Sequence, residues 1–199
     1  MKKFLIVLLV VIGLALSISE SASAQGKILV AYFSRTGEEY GVGNISRGNT
    51  AIIAGIIAQK TGGDLFEIKT VKSYPTNYQA CTEVASREKA DKARPALSNA
   101  VNNFAQYDTI FLGYPIWWGD CPMAIYTFLE SYDFSGKTII PFCTHAGSGL
   151  SGTERRIAAV CPNAKVLNGF EIRGATAQNN FSQAEAAVNS WLKKTGAIQ

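Results

Sequence analysis

Hydroxyl-bearing residues and a glycine directly follow the first apolar segment of the chain. Residues 27–33 read Lys-Ile-Leu-Val-Ala-Tyr-Phe, and after them come Ser34, Arg35, Thr36 and Gly37. Glycine lets the backbone approach a ligand closely, and hydroxyl groups can donate hydrogen bonds to phosphate oxygens. Asn49 and Thr50 then open an apolar segment, and the N-terminus of a helix attracts anions. The pattern predicts a phosphate-binding turn, and a polar loop with a helix N-cap is the simpler alternative.

Two later loops carry residues that could hold a flat ring. The first follows an apolar run at 110–112 and contains Pro115, Ile116, Trp117, Trp118 and Gly119. The second follows residues 137–142 and contains Thr144, His145, Ala146, Gly147, Ser148 and Gly149. An indole offers a face on which a planar ligand can stack. Because adjacent residues of an extended chain point in opposite directions, we expect one indole in the core and the other at the ligand.

A nucleoside triphosphate loop is the first alternative for this region. Residues 43–50 read Gly-Asn-Ile-Ser-Arg-Gly-Asn-Thr, which nearly matches that loop. Asn49 stands where a lysine should reach the β- and γ-phosphates. The preceding strand is also expected to end near Phe33, well upstream of the loop. Both departures argue against an NTPase.

A serine hydrolase is the second alternative, because Ser148 and His145 share a turn between a predicted strand and a predicted helix. The nucleophile turn of such enzymes reads Gly-x-Ser-x-Gly, and its histidine comes from elsewhere in the chain. Residues 146–150 read Ala-Gly-Ser-Gly-Leu, and His145 is the only histidine. The spacing therefore disfavours a hydrolase.

Strands and helices alternate along the part of the chain that must position these loops. The apolar patterns predict five strands, at 28–33, 65–69, 107–114, 137–142 and 165–171. They predict helices at 50–60, 78–93, 122–131, 153–160 and 182–194. Such alternation implies one twisted parallel sheet with helices on both faces and right-handed crossovers. Ligands of these sheets bind at the carboxyl ends of the strands, which is where all three loops fall.

The loop residues resemble those of the flavodoxin family. The phosphate loop of that family has the pattern hydroxyl, any residue, Thr, Gly, any residue, Thr, and residues 34–37 with 49–50 supply it. Residues 113–119, Gly-Tyr-Pro-Ile-Trp-Trp-Gly, resemble the ring-binding loop of flavodoxins and related quinone reductases. Two departures stand out. Residues 38–48 interrupt the first loop, where they can bulge outward while its ends meet, and the third loop lacks the usual Gly-x-Gly-Asp.

The resemblance implies a three-layer α/β flavodoxin-like fold with five parallel strands in the order 2-1-3-4-5. It also implies FMN as the cofactor, with the phosphate at the first loop and the ring between the other two. No second nucleotide motif is present to hold the adenine of FAD. The implied function is electron transfer or reduction of small quinone-type molecules, with donor, acceptor and oligomeric state left open. A non-catalytic FMN carrier outside the cytoplasm is the alternative.

His145 is the candidate catalytic residue. Beside the pyrimidine edge of a flavin, a histidine could stabilise the negative charge of the reduced ring. A solvated loop histidine is the alternative. Asp120, the acid nearest the second loop, would oppose that charge.

The N-terminus has the features of a secretory signal peptide. Lys2 and Lys3 precede an apolar run at 4–16, and Ala22-Ser23-Ala24 offers small residues for cleavage. A retained membrane anchor is the alternative, but the run is shorter than the roughly 20 residues of a spanning helix, which disfavours an anchor. The sequence therefore predicts a signal peptide at 1–24, one domain at 25–199, and export from the cytoplasm.

Charge and cysteine content limit the remaining function classes. The net charge is +4, without a run of Lys or Arg, which argues against nucleic-acid binding. One histidine and the absence of a Cys-x-x-Cys pair argue against a zinc site. Export would permit disulfides among the four cysteines, which are Cys81, Cys121, Cys143 and Cys161. Buried free thiols are the alternative.

Overall fold

A parallel β-sheet forms the middle of three layers. The computed structural model describes residues 26–198, so the predicted signal peptide at 1–24 lies outside the described residues. The strands in chain order are β1 Lys27–Tyr32, β2 Gly37–Glu39, β3 Gly43–Ile45, β4 Asp64–Glu67, β5 Tyr107–Pro115, β6 Thr138–His145, β7 Lys165–Val166 and β8 Phe170–Arg173. The helices are α1 Asn49–Thr61, α2 Tyr78–Ala90, α3 Met123–Glu130, α4 Thr153–Val160, α5 Gly174–Asn179 and α6 Phe181–Thr195.

The sheet order is β4-β1-β5-β6-β7, with β8 also paired to β6, and every pair in it is parallel. The predicted flavodoxin-like order 2-1-3-4-5 is therefore confirmed. The predicted fifth strand is divided in two: β7 pairs with the start of β6, and β8 pairs with its end. The second part runs on to Arg173, two residues beyond the predicted end at 171.

The central strands are apolar without interruption because both of their faces are buried. On β5, Ile110 and Leu112 belong to the core under one set of helices, which includes α3 and α4. Phe111 points the other way, into the core formed with α1, α5 and α6. Neighbouring residues of one strand thus supply two separate cores, as the alternation of side chains along a strand requires.

The segment at 38–48 differs from the expectation of a simple outward bulge. Its strands β2 and β3 pair antiparallel, from Gly37 with Ile45 to Glu39 with Gly43. The hairpin is fastened to the chain before α2, since the N–H of Glu38 donates to Thr76 O at 2.8 Å. The Glu38 carboxylate accepts hydrogen bonds from the N–H of Tyr78 and from Asn77 Nδ2. The inserted segment is therefore an ordered part of the fold.

All four cysteines are buried free thiols, so the open question of disulfides is answered in favour of that alternative. Burial raises the pKa of the Cys81 and Cys161 thiols to about 11. Within residues 26–198, the helices are too short or too polar for any of them to cross a membrane.

Gly113 is required where β5 meets β6. It lies opposite Phe142, and a Cβ at position 113 would come within 2.1 Å of the Phe142 ring. We expect Gly113→Ala to lower the free energy of unfolding by about 1–3 kcal/mol, because the fully buried ring would be forced from its position. Denaturant titration followed by circular dichroism measures this loss.

Gly55→Ala in α1 is the matched control. A Cβ at that position would meet only the end of the exposed Arg47 side chain. Because glycine inside a helix costs about 0.5–1 kcal/mol relative to alanine, Gly55→Ala should keep or raise stability. Equal effects of the two substitutions would show that the contact of Gly113 with Phe142 is not tight.

Candidate functional site

A cavity of about 380 Å³ opens at the carboxyl edge of the sheet. Its size is within the range of small-molecule sites. The predicted site residues that line it are Arg35, Asn49, Pro115, Ile116, Trp117, Trp118, Thr144, His145 and Ala146. The predicted site residues outside its lining are Ser34, Thr36, Gly37, Thr50, Gly119, Gly147, Ser148 and Gly149. All three predicted loops therefore contribute to one cavity, although not with every residue.

The two halves of the first loop meet although the hairpin lies between them in sequence. Gly48 packs so tightly that a Cβ there would come within 2.1 Å of Ser34 Oγ and 2.4 Å of the Arg35 carbonyl oxygen. Ser34 Oγ accepts a hydrogen bond from the N–H of Ala51 at 3.2 Å. Residues 34–35 and 48–51 thus form one turn at the N-terminus of α1.

This turn leaves polar groups without partners beside the cavity. The Oδ1 atom of Asn49 is buried and has no hydrogen-bond partner within residues 26–198. The N–H groups of Asn49 and Thr50 also find no acceptor among those residues, as is usual in the first turn of a helix. The Asn49 amide can be oriented either way, so its NH₂ group can also face a ligand. A ligand with an anionic end fits the unpartnered N–H groups of this helix N-terminus, and the Asn49 amide fits it only through its NH₂ group.

Arg35 binds the protein itself, although its place in the phosphate pattern suggested a ligand contact. Its Nε donates to Glu39 Oε1 at 2.8 Å, and Nη1 donates to the Pro75 carbonyl oxygen at 2.7 Å. Its Nη2 donates to the Glu38 carbonyl oxygen. Burial raises the pKa of Glu39, and the Arg35 charge opposes that rise. The guanidinium thus neutralises Glu39 and holds the hairpin in place.

Three other hydroxyl and glycine residues of the predicted phosphate loop also face elsewhere. Thr36 and Gly37 line a separate groove between the hairpin and Thr76. Thr50 is buried, and its Oγ1 shares a hydrogen bond of 2.8 Å with Thr144 Oγ1. That bond joins the first loop to the third. The anion-binding groups at the cavity are therefore the helix terminus and Asn49, with the hydroxyls in supporting positions.

The two indoles of the second loop have different surroundings. Trp117 is half-buried and packs edge-on against Phe33 at 5.4 Å and Tyr74 at 5.0 Å between ring centroids. Trp118 is 59% exposed, and its Nε1 donates to the Thr82 carbonyl oxygen at 2.9 Å. Both side chains line the cavity, so the packed indole also presents a surface to a ligand.

A tight reverse turn sets this arrangement. Trp117 and Asp120 exchange two backbone hydrogen bonds of 2.9 and 3.0 Å. Trp118 and Gly119, the two residues between them, have φ angles of 52° and 72°. A positive φ is unfavourable for a tryptophan, and such strain clusters at functional sites. Asp120 is buried behind the turn, where Oδ1 accepts from Tyr126 Oη at 2.8 Å, and it is not part of the cavity lining.

His145 has a partner for each ring nitrogen. Nδ1 accepts a hydrogen bond from the N–H of Gly147 at 2.9 Å, and Nε2 pairs with the Glu171 carboxylate. The side chain is 5% exposed. Nδ1 therefore holds the turn at 145–147, Nε2 joins β6 to Glu171 of β8, and the ring reaches the cavity without a free N–H group.

The comparisons with known proteins agree with this architecture. The family model described as flavodoxin matches residues 27–194. The chain belongs to the flavodoxin family. A protein from Bacteroides eggerthii assigned as a flavoprotein is 31% identical, with a TM-score of 0.68 over 85% of this chain and 97% of its own. A second protein assigned as a flavoprotein, from Bacteroides uniformis, is 35% identical, with a TM-score of 0.68 over 84% of this chain and 98% of its own.

A more distant similarity concerns the fold alone. A flavoprotein from Lactobacillus acidophilus, whose crystal structure is a complex with FMN, is 20% identical, with a TM-score of 0.60 over 79% of this chain and 99% of its own. None of the curated proteins compared with the chain matches it significantly.

Several residues of this flavodoxin-family site were not found from the sequence. The hairpin adds Glu39, Tyr40 and Gly41, α2 adds Tyr78, Cys81, Thr82 and Ala85, and the end of the sheet adds Arg173, Gly174 and Ala175. From the sequence, residues 38–48 are expected to bulge outward and no site residue is assigned to the helix at 78–93, because the contact between them depends on the long-range bonds of Glu38 and Arg35. Arg173 could have been found, since it ends a strand at the carboxyl edge. Within residues 26–198, no cluster of His, Cys, Asp or Glu is suited to a metal ion.

The different surroundings of the indoles predict different consequences of mutation. We expect Trp117→Ala to lower the free energy of unfolding by roughly 2 kcal/mol, less than the 3–5 kcal/mol typical of a fully buried ring. Trp118→Gly should leave stability nearly unchanged, because glycine relieves the positive φ. Chemical denaturation of both variants measures the difference, and a larger loss for Trp118→Gly would contradict the packing described here.

Proposed function

We propose that this flavodoxin-family protein binds FMN in the cavity and serves as a redox protein that reduces small quinone-type molecules or transfers electrons. A single observation carries the proposal. One cavity at the carboxyl edge of the sheet has the unpartnered N–H groups of the α1 terminus, next to Asn49, at one end and indole surfaces at another. A bound flavin would supply reversible uptake of one or two electrons. The residues of this chain supply binding, orientation and charge.

The phosphate end rests on the turn of Ser34, Gly48 and Asn49. The close approach of Gly48 to the first loop leaves no room for a side chain. The N-terminus of α1 and the Asn49 amide would therefore contact the phosphate directly. A phosphate at this position would satisfy the N–H groups of the first helical turn and interact favourably with the helix dipole.

The ring end rests on Ile116, Trp117 and Trp118. The first two offer apolar surface backed by the core, and the third adds an exposed indole at the mouth. The third loop, held by His145 and by the bond between Thr50 and Thr144, would face the pyrimidine edge. Stacking on an aromatic side chain contributes roughly 1–3 kcal/mol per ring, so these indoles would add substantially to flavin affinity.

Aromatic residues at the mouth favour a small planar acceptor. Tyr40 is 68% exposed and lies 6.2 Å from Tyr78 between ring centroids, with Trp118 also on the cavity lining. Exposed apolar surface gathered in a concave site is characteristic of ligand binding. A non-catalytic FMN carrier would not need such a mouth.

Mixing the FMN-loaded protein with reduced pyridine nucleotide and a quinone distinguishes a reductase from a carrier. Flavin bleaching with turnover indicates a reductase, and inertness indicates a carrier.

We further propose that the protein acts outside the cytoplasm, and this proposal rests on the signal peptide predicted from the sequence at 1–24. A chain exported in unfolded form must acquire FMN after it folds, so the site must bind free FMN. Mass spectrometry of the N-terminus in fractionated cells tests the location, and an intact Met1 in the cytoplasmic fraction would contradict it.

Gly48→Ala tests the phosphate end. The new Cβ would force the first loop away from α1, and we expect FMN affinity to fall by about 10- to 100-fold, as for loss of a charged hydrogen bond of about 1.5–3 kcal/mol. Riboflavin, which lacks the phosphate, should bind both forms within about twofold. Titration of each ligand, followed by flavin fluorescence, gives the four dissociation constants.

Gly55→Ala is the matched control two turns along the same helix. Asn49→Ala provides a second variant that removes the amide without crowding the loop, and it should also weaken FMN more than riboflavin. Equal losses for the two ligands would place the phosphate elsewhere.

A further inference from the structure

Within residues 26–198, Arg173 is the only positively charged side chain on the cavity lining that has no carboxylate partner. Arg35 is paired with Glu39, and His145 is bonded to Glu171. The two acids nearest the cavity are thus already matched by other groups. The guanidinium of Arg173 remains as the uncompensated charge of the site.

Strand pairing fixes the position of Arg173. It is the last residue of β8 and lies in register with His145 of β6. Its Nη1 donates to the Ala146 carbonyl oxygen at 3.3 Å, and a Cβ on Gly147 would lie 3.7 Å from the same nitrogen. The guanidinium therefore rests against the backbone of residues 146–147, in the loop that would face the pyrimidine edge of a flavin.

We propose that Arg173 stabilises the negative charge that a flavin ring acquires on two-electron reduction. The proposal rests on the proposed FMN binding and adds the group that tunes it. On reduction, a bound flavin ring would take two electrons and one proton from a donor such as a reduced nicotinamide, which would be oxidised. The ring would then carry one additional negative charge. Arginine remains protonated at all relevant pH values, so its charge favours the reduced ring throughout.

This assignment replaces the role first expected of His145. The imidazole has no free nitrogen to offer, because Gly147 and Glu171 occupy both. Its hydrogen bonds hold the turn against which Arg173 packs. His145 is accordingly a positioning residue, and the charge comes from the next strand.

A contact with the FMN phosphate is the competing role for Arg173. The residue after it, Gly174, packs against Asn49, since a Cβ there would lie 2.4 Å from Asn49 Nδ2. The third loop and the α1 terminus are therefore both near. The two roles differ in their chemistry: a phosphate contact strengthens oxidised FMN over oxidised riboflavin, whereas a ring contact strengthens the reduced form of both.

The test compares Arg173→Gln with Arg173→Lys and with Arg155→Gln. Arg155 is an exposed arginine of α4 that does not line the cavity, so its substitution gives the same charge change away from the site. Midpoint potentials are measured for the FMN-loaded and the riboflavin-loaded proteins by dithionite reduction against a reference dye. Dissociation constants of the oxidised ligands are measured in parallel.

We expect Arg173→Gln to lose about tenfold in affinity for the reduced ring relative to the oxidised ring, which lowers the two-electron midpoint potential by about 30 mV. The shift should be similar for FMN and riboflavin and smaller in Arg173→Lys. Arg155→Gln should show no shift. Added salt should reduce the difference between wild type and Arg173→Gln, since the site opens to solvent.

An unchanged potential in Arg173→Gln would overturn the proposal, as would a loss confined to oxidised FMN, which assigns the guanidinium to the phosphate. Failure of the unaltered protein to bind either flavin would instead refute the proposed function. The two failures are therefore distinguishable in one set of measurements.

Discussion

The parallel pairing of β5 with β1 and β6 is the constraint on which the site depends. Ile110, Phe111 and Leu112 are fully buried between two layers of helices, so the strand cannot slip by one residue without exchanging its two cores. With that register fixed, the chain leaves β1, β5 and β6 at one edge. Residues distant in sequence then meet, and the bond between Thr50 and Thr144 joins two of the loops directly.

Some polar and charged groups at the carboxyl edge of the sheet are already paired within the protein, and others are not. The Arg35 guanidinium donates hydrogen bonds to Glu39 and to backbone carbonyl oxygens, and these bonds hold the hairpin as one wall of the cavity. His145 bonds to the third loop through Nδ1 and to Glu171 of β8 through Nε2. On the cavity lining within residues 26–198, the Asn49 amide oxygen has no hydrogen-bond partner and Arg173 has no ion-pair partner. Arg35 and His145 are thus held by protein partners, whereas the Arg173 charge remains available to a ligand.

The sequence predicted the elements better than it predicted side-chain directions. Period and composition located the strands and helices, because buried strands and amphipathic helices differ in pattern, whereas the order of the strands in the sheet came from the resemblance to the flavodoxin family. Loop residues were harder to predict. Thr36 matches the phosphate pattern by type and Arg35 by position, yet Thr36 lines a separate groove beside the hairpin and Arg35 binds Glu39 of the hairpin.

The hairpin itself could not be foreseen, because its place is set by long-range contacts of Glu38 and Arg35 with residues 75–78. One indole was expected in the core and the other at the ligand, on the assumption of an extended chain, whereas Trp117 is half-buried and both indoles line the cavity. Which of them packs depended on the reverse turn at 117–120, with its two residues of positive φ.

The most direct test of the account is the identity and stoichiometry of the flavin that the folded protein binds. Protein comprising residues 25–199 is saturated with a mixture of FMN, FAD and riboflavin, freed of unbound ligand and denatured, and the released flavin is identified by mass spectrometry. The account predicts one FMN per chain, because the turn at the start of α1 accommodates a terminal phosphate. Release of FAD alone, or binding of no flavin at micromolar concentration, would contradict it.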